Sequence, residues 1–381
     1  MDFISALLTA IIAAVSGALL TVDAYFMDVS KNIRFTIAPP SPTEFMSPAS
    51  VAPSESITVT PATTTQKKKT AAPKAKPLTS TIAVAAPSEP IPTPPPSTVS
   101  LEALNEEVRR ALVNVYCSAQ QRSSVRPISA SGVFIDSRGV ILTNAHVAQL
   151  FLLKDYPTPN NIECVIRVGN PAEPRYRATL LFLPKTWIER NADQLIAAQA
   201  KGTGEHDYAF LLVTGTTDGS PLPPSFPYLP MTFAEPDTGA QTLLAAYSAG
   251  FLEGVTIQNN LYITSAYAVV KELFTFAERT VDLVSVGGTI VSQAGSSGGA
   301  MVRTRDGTLQ GIIVTSTAAE TTAQRDLRAL TLDHINRSLA VHGKGNITSI
   351  LSKSLTEEAA NFAAQTAPEE TQLLIKVLEN R

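Results

Sequence analysis

Residues 294–316 read AGSSGGAMVRTRDGTLQGIIVTS. A serine stands among glycines and alanines, and two apolar runs follow, AMVRT and TLQGIIV, joined by Arg305-Asp306-Gly307. Apolar runs joined by a short link containing Asp-Gly read as a β-hairpin. Working outward, runs of the same kind recur on both sides. Towards the N-terminus they are VNVYC (113–117), SGVFI (131–135), GVILTNAHV (139–147), IECVIRV (162–168), RATLLFL (177–183) and YAFLLV (208–213). QTLLAAYS (241–248), GVTIQ (254–258), YITSAYAVV (262–270) and TVDLVSV (280–286) complete the set before GAMVRT (299–304) and LQGIIVTS (309–316). About a dozen short strands separated by Gly, Pro and Asp define an all-β barrel or sandwich. No long helical pattern interrupts them, which argues against a βαβ architecture.

Helical patterning brackets this region. Leu101, Leu104, Val108 and Leu112 recur at helical spacing, Ser100 is placed to cap them, and Glu102, Glu106 and Glu107 precede Arg109 and Arg110 in the sense that suits the helix dipole. Helical spacing returns at Leu332–Val341 and in the acid-rich tail 354–380, which reads as a solvated helical pair or a frayed end.

The first hundred residues have a different composition. Phe3 to Val22 is an uncharged apolar run of twenty residues, the length that spans a hydrocarbon core of about 30 Å. It is expected to be a transmembrane anchor rather than a cleaved signal segment, because Met1-Asp2 supplies no basic residue before it. Residues 38–98 hold 14 of the 27 prolines, no glycine and one aromatic. Such a stretch buries too little apolar area to fold, and reads as an extended tether reaching on the order of 190 Å at ~3.1 Å per residue. The expected organisation is an anchor or signal segment over 1–25, a tether over 38–98, a globular domain over 100–342 and a helical tail over 343–381.

A net charge of −3 offers no basic face for nucleic acid. Two cysteines among 381 residues are too few for a disulfide framework or a four-cysteine zinc site. Cys117 and Cys164 both fall on expected strands and are either a disulfide or two buried thiols. The sequence calls for no metal and no organic cofactor.

The chemistry centres on Ser297. A serine needs a base to become a nucleophile, and the sequence has four histidines. His146 ends an apolar strand run in LTNAHV. Asp207 opens another in HDYAFLLV, and Ser297 sits in a turn where the Gly295 and Ser297 amides can converge on one point. The chain order His, Asp, Ser, with intervals of 61 and 90 residues, is one of the orders in which this triad occurs.

LTNAHV, HDYAFLLV and GSSGG together resemble the trypsin-like serine peptidases, most closely the bacterial Deg-type branch. The strand pattern extends the likeness over roughly 100–342, and LQGIIV resembles the strand lining the substrate cleft. The resemblance implies two six-stranded antiparallel β-barrels with the site between them. It implies Ser297 as nucleophile, His146 as general base and acid, Asp207 as the group orienting His146, and the Gly295 and Ser297 amides as oxyanion hole. Val291, six residues before the nucleophile, would lie at the base of the P1 pocket with Ser316 on its wall, favouring a small or medium apolar side chain. The implied activity is that of a membrane-tethered serine endopeptidase, catalytic domain outside the cytoplasm, acting on protein or peptide substrates through an acyl-enzyme.

The chain departs from the family in two places. Ser296 stands where secreted trypsins carry the aspartate that pairs with a freed N-terminus, so that zymogen switch is not expected. The region after 342 is too short for a peptide-binding PDZ module. His206 is expected to be a surface neighbour of Asp207, Asp193 and Asp218 to be loop residues, and Trp187 to be packing. Asn336 and Asn346 match glycosylation sequons. The segment 295–299 also satisfies G-x-S-x-G, with Asp333 and His334 as late partners, but an α/β-hydrolase needs a helix after the serine, where this chain has a hairpin pattern. The remaining alternative is a catalytically inactive, protease-shaped binding module on a stalk.

Overall fold

A computed structural model describes residues 100–121, 125–197, 202–276, 279–317, 319 and 321–380. The expected anchor and tether lie outside them. Among the described residues no helix is long and apolar enough to cross a membrane.

Six strands close into an antiparallel barrel: β1 (Leu112–Ala119), β2 (Ile128–Asp136), β3 (Val140–Thr143), β4 (Ile162–Val168), β5 (Glu173–Phe182) and β6 (Ala209–Thr216), in the order β1-β2-β3-β6-β5-β4. Seven more are β7 (Gln241–Ala246), β8 (Thr264–Val269), β9 (Glu272–Phe274), β10 (Leu283–Gly287), β11 (Ala300–Arg303), β12 (Thr308–Ser316) and β13 (Leu327–Thr331). They form one sheet ordered β8-β7-β11-β12-β13-β10-β9.

This second sheet corrects the expectation of two closed barrels. Its edge strands β8 and β9 are consecutive in the chain but form no ladder with each other. The link Val270-Lys271 between them bonds to other segments, Val270 N–H donating to Ala240 O and Lys271 N–H to Ser285 O. Four further elements differ from the sequence reading. GVTIQ is an exposed helix, Gly254–Asn259, with no buried residue: a short apolar run fits helix and strand alike when nothing packs on it. Strands β9 and β13 were not expected, and neither was the helix Lys185–Asn191, which buries Trp187 and Ile188.

Alternation along the strands explains how the barrel and the sheet pack together. Val113, Val115, Ile141, Ala209, Leu211 and Val213 fill the barrel interior. Their chain neighbours Leu112, Val140, Leu142, Tyr208, Phe210 and Leu212 point the other way, into a core shared with Leu243, Ala245, Ala300, Val302, Ile312 and Val314 of the second sheet. Strand side chains have period two, so an unbroken apolar run such as YAFLLV serves two cores at once. A third core, including Leu244, Val291, Met301 and Ile313, lies on the far face of the second sheet.

Ser100 caps the first helix, Leu101–Ala111, by accepting from Ala103 N–H, and Leu104, Val108 and Ala111 are buried beneath it. Cys117 and Cys164 lie directly opposite each other on β1 and β4 and are joined as a disulfide. Of the two sequons, Asn336 accepts from Ile347 N–H and Asn346 caps the helix Ile347–Leu351.

The tail is neither frayed nor fully solvated. It folds as Leu355–Asn361, a π-turn over Phe362–Thr366 and Ala367–Glu379, and it buries Phe362, Leu374 and Leu378 against the core of the first barrel. Glu370 is carried into this contact fully buried, and among the described residues neither carboxylate oxygen has a hydrogen-bond partner. Burial pushes its pKa up to about 8, with Lys185 opposing and Glu369 and Glu189 reinforcing the shift. A folded-state pKa above the unfolded value means that stability present below about pH 4.5 is lost as pH rises through 8. Glu370→Leu is therefore expected to raise the melting temperature at pH 8 and much less at pH 4.5, with a gain on the order of a few kcal/mol at the higher pH. Thermal melts of both chains at the two pH values check this.

Candidate active site

The shared core brings the ends of β3, β6 and the loop before β11 to one place. β3 ends at Thr143, Asn144 leads into the four-residue helix Ala145–Ala148, and His146 projects from that helix. Asn144 Nδ2 donates to the Asp207 carbonyl at 2.8 Å, tying this turn to the start of β6. Asp207 is buried and accepts twice from one residue. His146 N–H donates to Oδ1 at 3.0 Å, and the ring Nδ1 lies 2.8 Å from Oδ2.

That second contact assigns the tautomer. A carboxylate accepts only, so Nδ1 carries the proton and Nε2 presents a lone pair. The imidazole side chain is 35% exposed. Burial lowers the His146 pKa, but the Asp207 charge and its hydrogen bond outweigh this and leave it above the ordinary 6.5.

Ser297 is half-buried in the segment 295–299. Gly295 has φ +89° and Gly298 φ +81°, both in the region where a side chain is strained. A Cβ on Gly295 would sit 2.6 Å from Tyr247 O, and one on Gly298 2.1 Å from Ser131 O. Two carbonyls fix how the peptides point. Ala294 C=O accepts from Ala249 N–H at 2.8 Å, and Ser296 C=O accepts from Gly299 N–H at 2.9 Å. In a trans peptide the N–H points opposite to the C=O, so the Gly295 and Ser297 amides face away from these partners. Among the described residues neither amide has a protein acceptor.

Ser296 is buried and its hydroxyl donates to Val291 O at 2.5 Å and lies 2.9 Å from Ser248 Oγ. These bonds, neither of them to a charged group, tie the 295–299 turn to Val291 and Ser248.

His146, Asp207, Ser296 and Ser297 line one cavity of about 580 Å³. Its walls also include Trp187, Arg190, Asn191 and Gln194, the segment 202–205, and Ile313, Val314 and Leu327. Arg190 and Glu205, both at this cavity, pair at 3.3 Å. The wall from 187 to 194 escaped sequence reading because nothing in KTWIERN marks it apart from the buried Trp187.

The remaining sequence-predicted residues lie elsewhere. Val291 is fully buried in the far core of the second sheet and does not line the cavity. The Ser316 side chain lies outside the described residues. His206 is not a surface residue: its side chain is 12% exposed, bonded to Ser338 Oγ at 2.8 Å and stacked near His334 and His342. Asp218 pairs with Arg175, and Asp193 accepts from Gln194. Asp333 pairs with Arg337, while His334 is bound to Asp282 at 3.0 Å. None of these four is at the cavity. Among the described residues no group of histidine, cysteine or carboxylate side chains is arranged to hold a metal ion.

Residues 130–312 match the family model of the trypsin-like peptidase domain. The barrel and the sheet over these residues therefore match a trypsin-like peptidase domain. Among solved structures it is similar to the active form of a protease from M. tuberculosis, with 18% identity, 68% of this chain and 93% of that one covered, and a TM-score of 0.38. It is similar also to the HtrA-type protease AlgW with a tripeptide (16% identity, 64% and 65% covered, TM-score 0.41) and to the serine endoprotease from Yersinia pestis (21%, 64% and 65%, TM-score 0.38). The chain spans about two thirds of the length of these last two. A search of curated proteins finds no match.

Proposed function

We propose that this protein hydrolyses peptide bonds through Ser297, His146 and Asp207 by way of an acyl-enzyme. The observation that carries the reading is the doubly bonded Asp207–His146 pair, which leaves Nε2 as a base in the cavity that also contains Ser297. In the first step Nε2 takes the Ser297 hydroxyl proton as Oγ adds to the substrate carbonyl. The oxyanion forms against the Gly295 and Ser297 amides, a contribution of about 3–4 kcal/mol per donor in enzymes of this kind. The imidazolium, held by Asp207, then gives its proton to the leaving amine, and the acyl-enzyme remains. Water attacks the ester with the same histidine as base, and loss of Ser297 Oγ frees the acid product. The apolar walls Ile313, Val314 and Leu327 support a small or medium apolar side chain at P1. The run Phe3–Val22 and the proline-rich stretch 38–98 support a domain held at some distance from a membrane, and the Cys117–Cys164 disulfide supports the side outside the cytoplasm.

The test is the pH dependence of kcat/KM on a peptide substrate. Only neutral His146 serves as base, so activity falls on the acid side, and the midpoint of that limb lies above 6.5 because the Asp207 charge stabilises the imidazolium. Asp207→Asn removes that charge and moves the midpoint to lower pH. A limb that stays in place in the variant contradicts the assignment of this pair.

A further inference from the structure

Ser131 is fully buried on β2 of the first barrel, and its hydrogen bonds converge on the cleft between barrel and sheet. Its N–H donates to Ser297 O at 2.7 Å. Its hydroxyl donates to Gly295 O at 2.8 Å and accepts from Tyr247 N–H at 2.8 Å. Its carbonyl accepts from Thr143 Oγ1 at 2.7 Å. β2 pairs with β3 only from Val133 onward, so the edge at Ser131 is free to take the nucleophile turn in place of a strand.

The consequence is geometric. The carbonyls of Gly295 and Ser297 follow directly on the two amides that have no protein acceptor among the described residues. Residues 295 and 298 are glycines with positive φ, and a backbone without side chains to lock it needs outside partners to hold one conformation. The hydroxyl proton is itself fixed, since one neighbour occupies Oγ as donor and the other as acceptor.

We propose that the Ser131 hydroxyl is a positioning group for the oxyanion hole, supplied by the first barrel to a turn that belongs to the second sheet. The assignment rests on the peptidase reading above. A preorganised donor contributes because it need not reorganise as charge develops. Loss of the hydroxyl leaves the Gly295 carbonyl unheld, and the turn samples orientations in which its amides no longer converge.

The test uses the full 381-residue chain and the variants Ser131→Ala, Ser131→Thr and Thr242→Val. Thr242 Oγ1 makes a buried bond to Val302 O away from the cavity, so its loss measures a structural cost alone. Ser131→Ala is expected to lower kcat about 10- to 100-fold, less than loss of a donor itself. KM and the pH midpoint stay within about twofold and 0.3 units, since neither substrate contacts nor the His146–Asp207 pair change. Affinity for a peptide aldehyde, whose hemiacetal oxygen occupies the hole, falls by the same factor as kcat/KM. Ser131→Thr keeps the hydroxyl and recovers most of the rate, and Thr242→Val keeps the parent rate at a lower melting temperature. The assignment is overturned if Ser131→Ala turns over within about twofold of the parent, or if its deficit appears in KM alone. An unsubstituted chain that neither hydrolyses peptide nor reacts with an active-site reagent overturns the peptidase reading and this assignment with it.

Discussion

Ser297→Ala is expected to lower kcat by about a million-fold, the scale seen when the nucleophile of a serine protease is removed. The Ser297 side chain borders the cavity and its peptide group is held by other partners: Ser131 N–H binds its carbonyl, and the Ser296 and Gly299 backbone fixes its amide. The substitution leaves those contacts in place, so thermal stability stays within about 0.5 kcal/mol of the parent. KM changes little, because the hydroxyl contributes to bond making and not to ground-state binding. The backbone amide at position 297 survives the substitution as an oxyanion donor, which leaves a residual rate above that of water of about 10³-fold. Initial-rate kinetics on a peptide ester and a peptide amide, with melting curves on the same samples, check both halves of the expectation.

Asp207→Asn is expected to lower kcat by about 10⁴-fold near neutral pH. The carboxylate accepts from both the His146 amide and the ring Nδ1. An asparagine side chain has one acceptor oxygen, so it can satisfy only one of these donors while its NH₂ faces the other. The backbone amide cannot change its protonation, but the ring can move its proton to Nε2. The preferred state of the variant then has a donor where the base should be. Because the rate requires the minor tautomer, the loss appears in kcat, with KM close to that of the parent. The same mispairing leaves a buried polar group poorly satisfied, and a modest fall in stability, about 1–3 kcal/mol, accompanies it. A variant with parental kcat contradicts the role given to Asp207.

Local patterns that report on two cores were readable in the chain. VNVYC and IECVIRV became β1 and β4 because alternate residues fill the first barrel, and YAFLLV became β6 because its odd and even residues enter two different cores. His146, Asp207 and Ser297 were legible as candidates because each stands at the edge of such a run or in a glycine turn. What was hidden depends on partners far away in sequence. Whether the second sheet closes is decided at its edge strands, where β9 has only three residues. LRALT is β13, but it runs straight into the helix Leu332–Val341 and offers no punctuation between strand and helix. The tail looked solvated because Glu370 reads as a surface charge, whereas its helix carries it into a contact with the first barrel. The Cys117–Cys164 pairing was open until the register of β1 on β4 placed the two residues opposite. Ser131 in SASGVFI carries no mark of its own; its role emerges only from the 164-residue reach to Gly295.

Peptidase chemistry requires an activated serine in the cavity between barrel and sheet. The most direct measurement is reaction of the full chain with a fluorophosphonate, followed by mass spectrometry to locate the adduct. The expected result is one phosphonyl group per chain on Ser297, formed by the parent but not by His146→Ala or Ser297→Ala at equal time and concentration. Absence of an adduct on the folded parent, or an adduct on another residue, contradicts it.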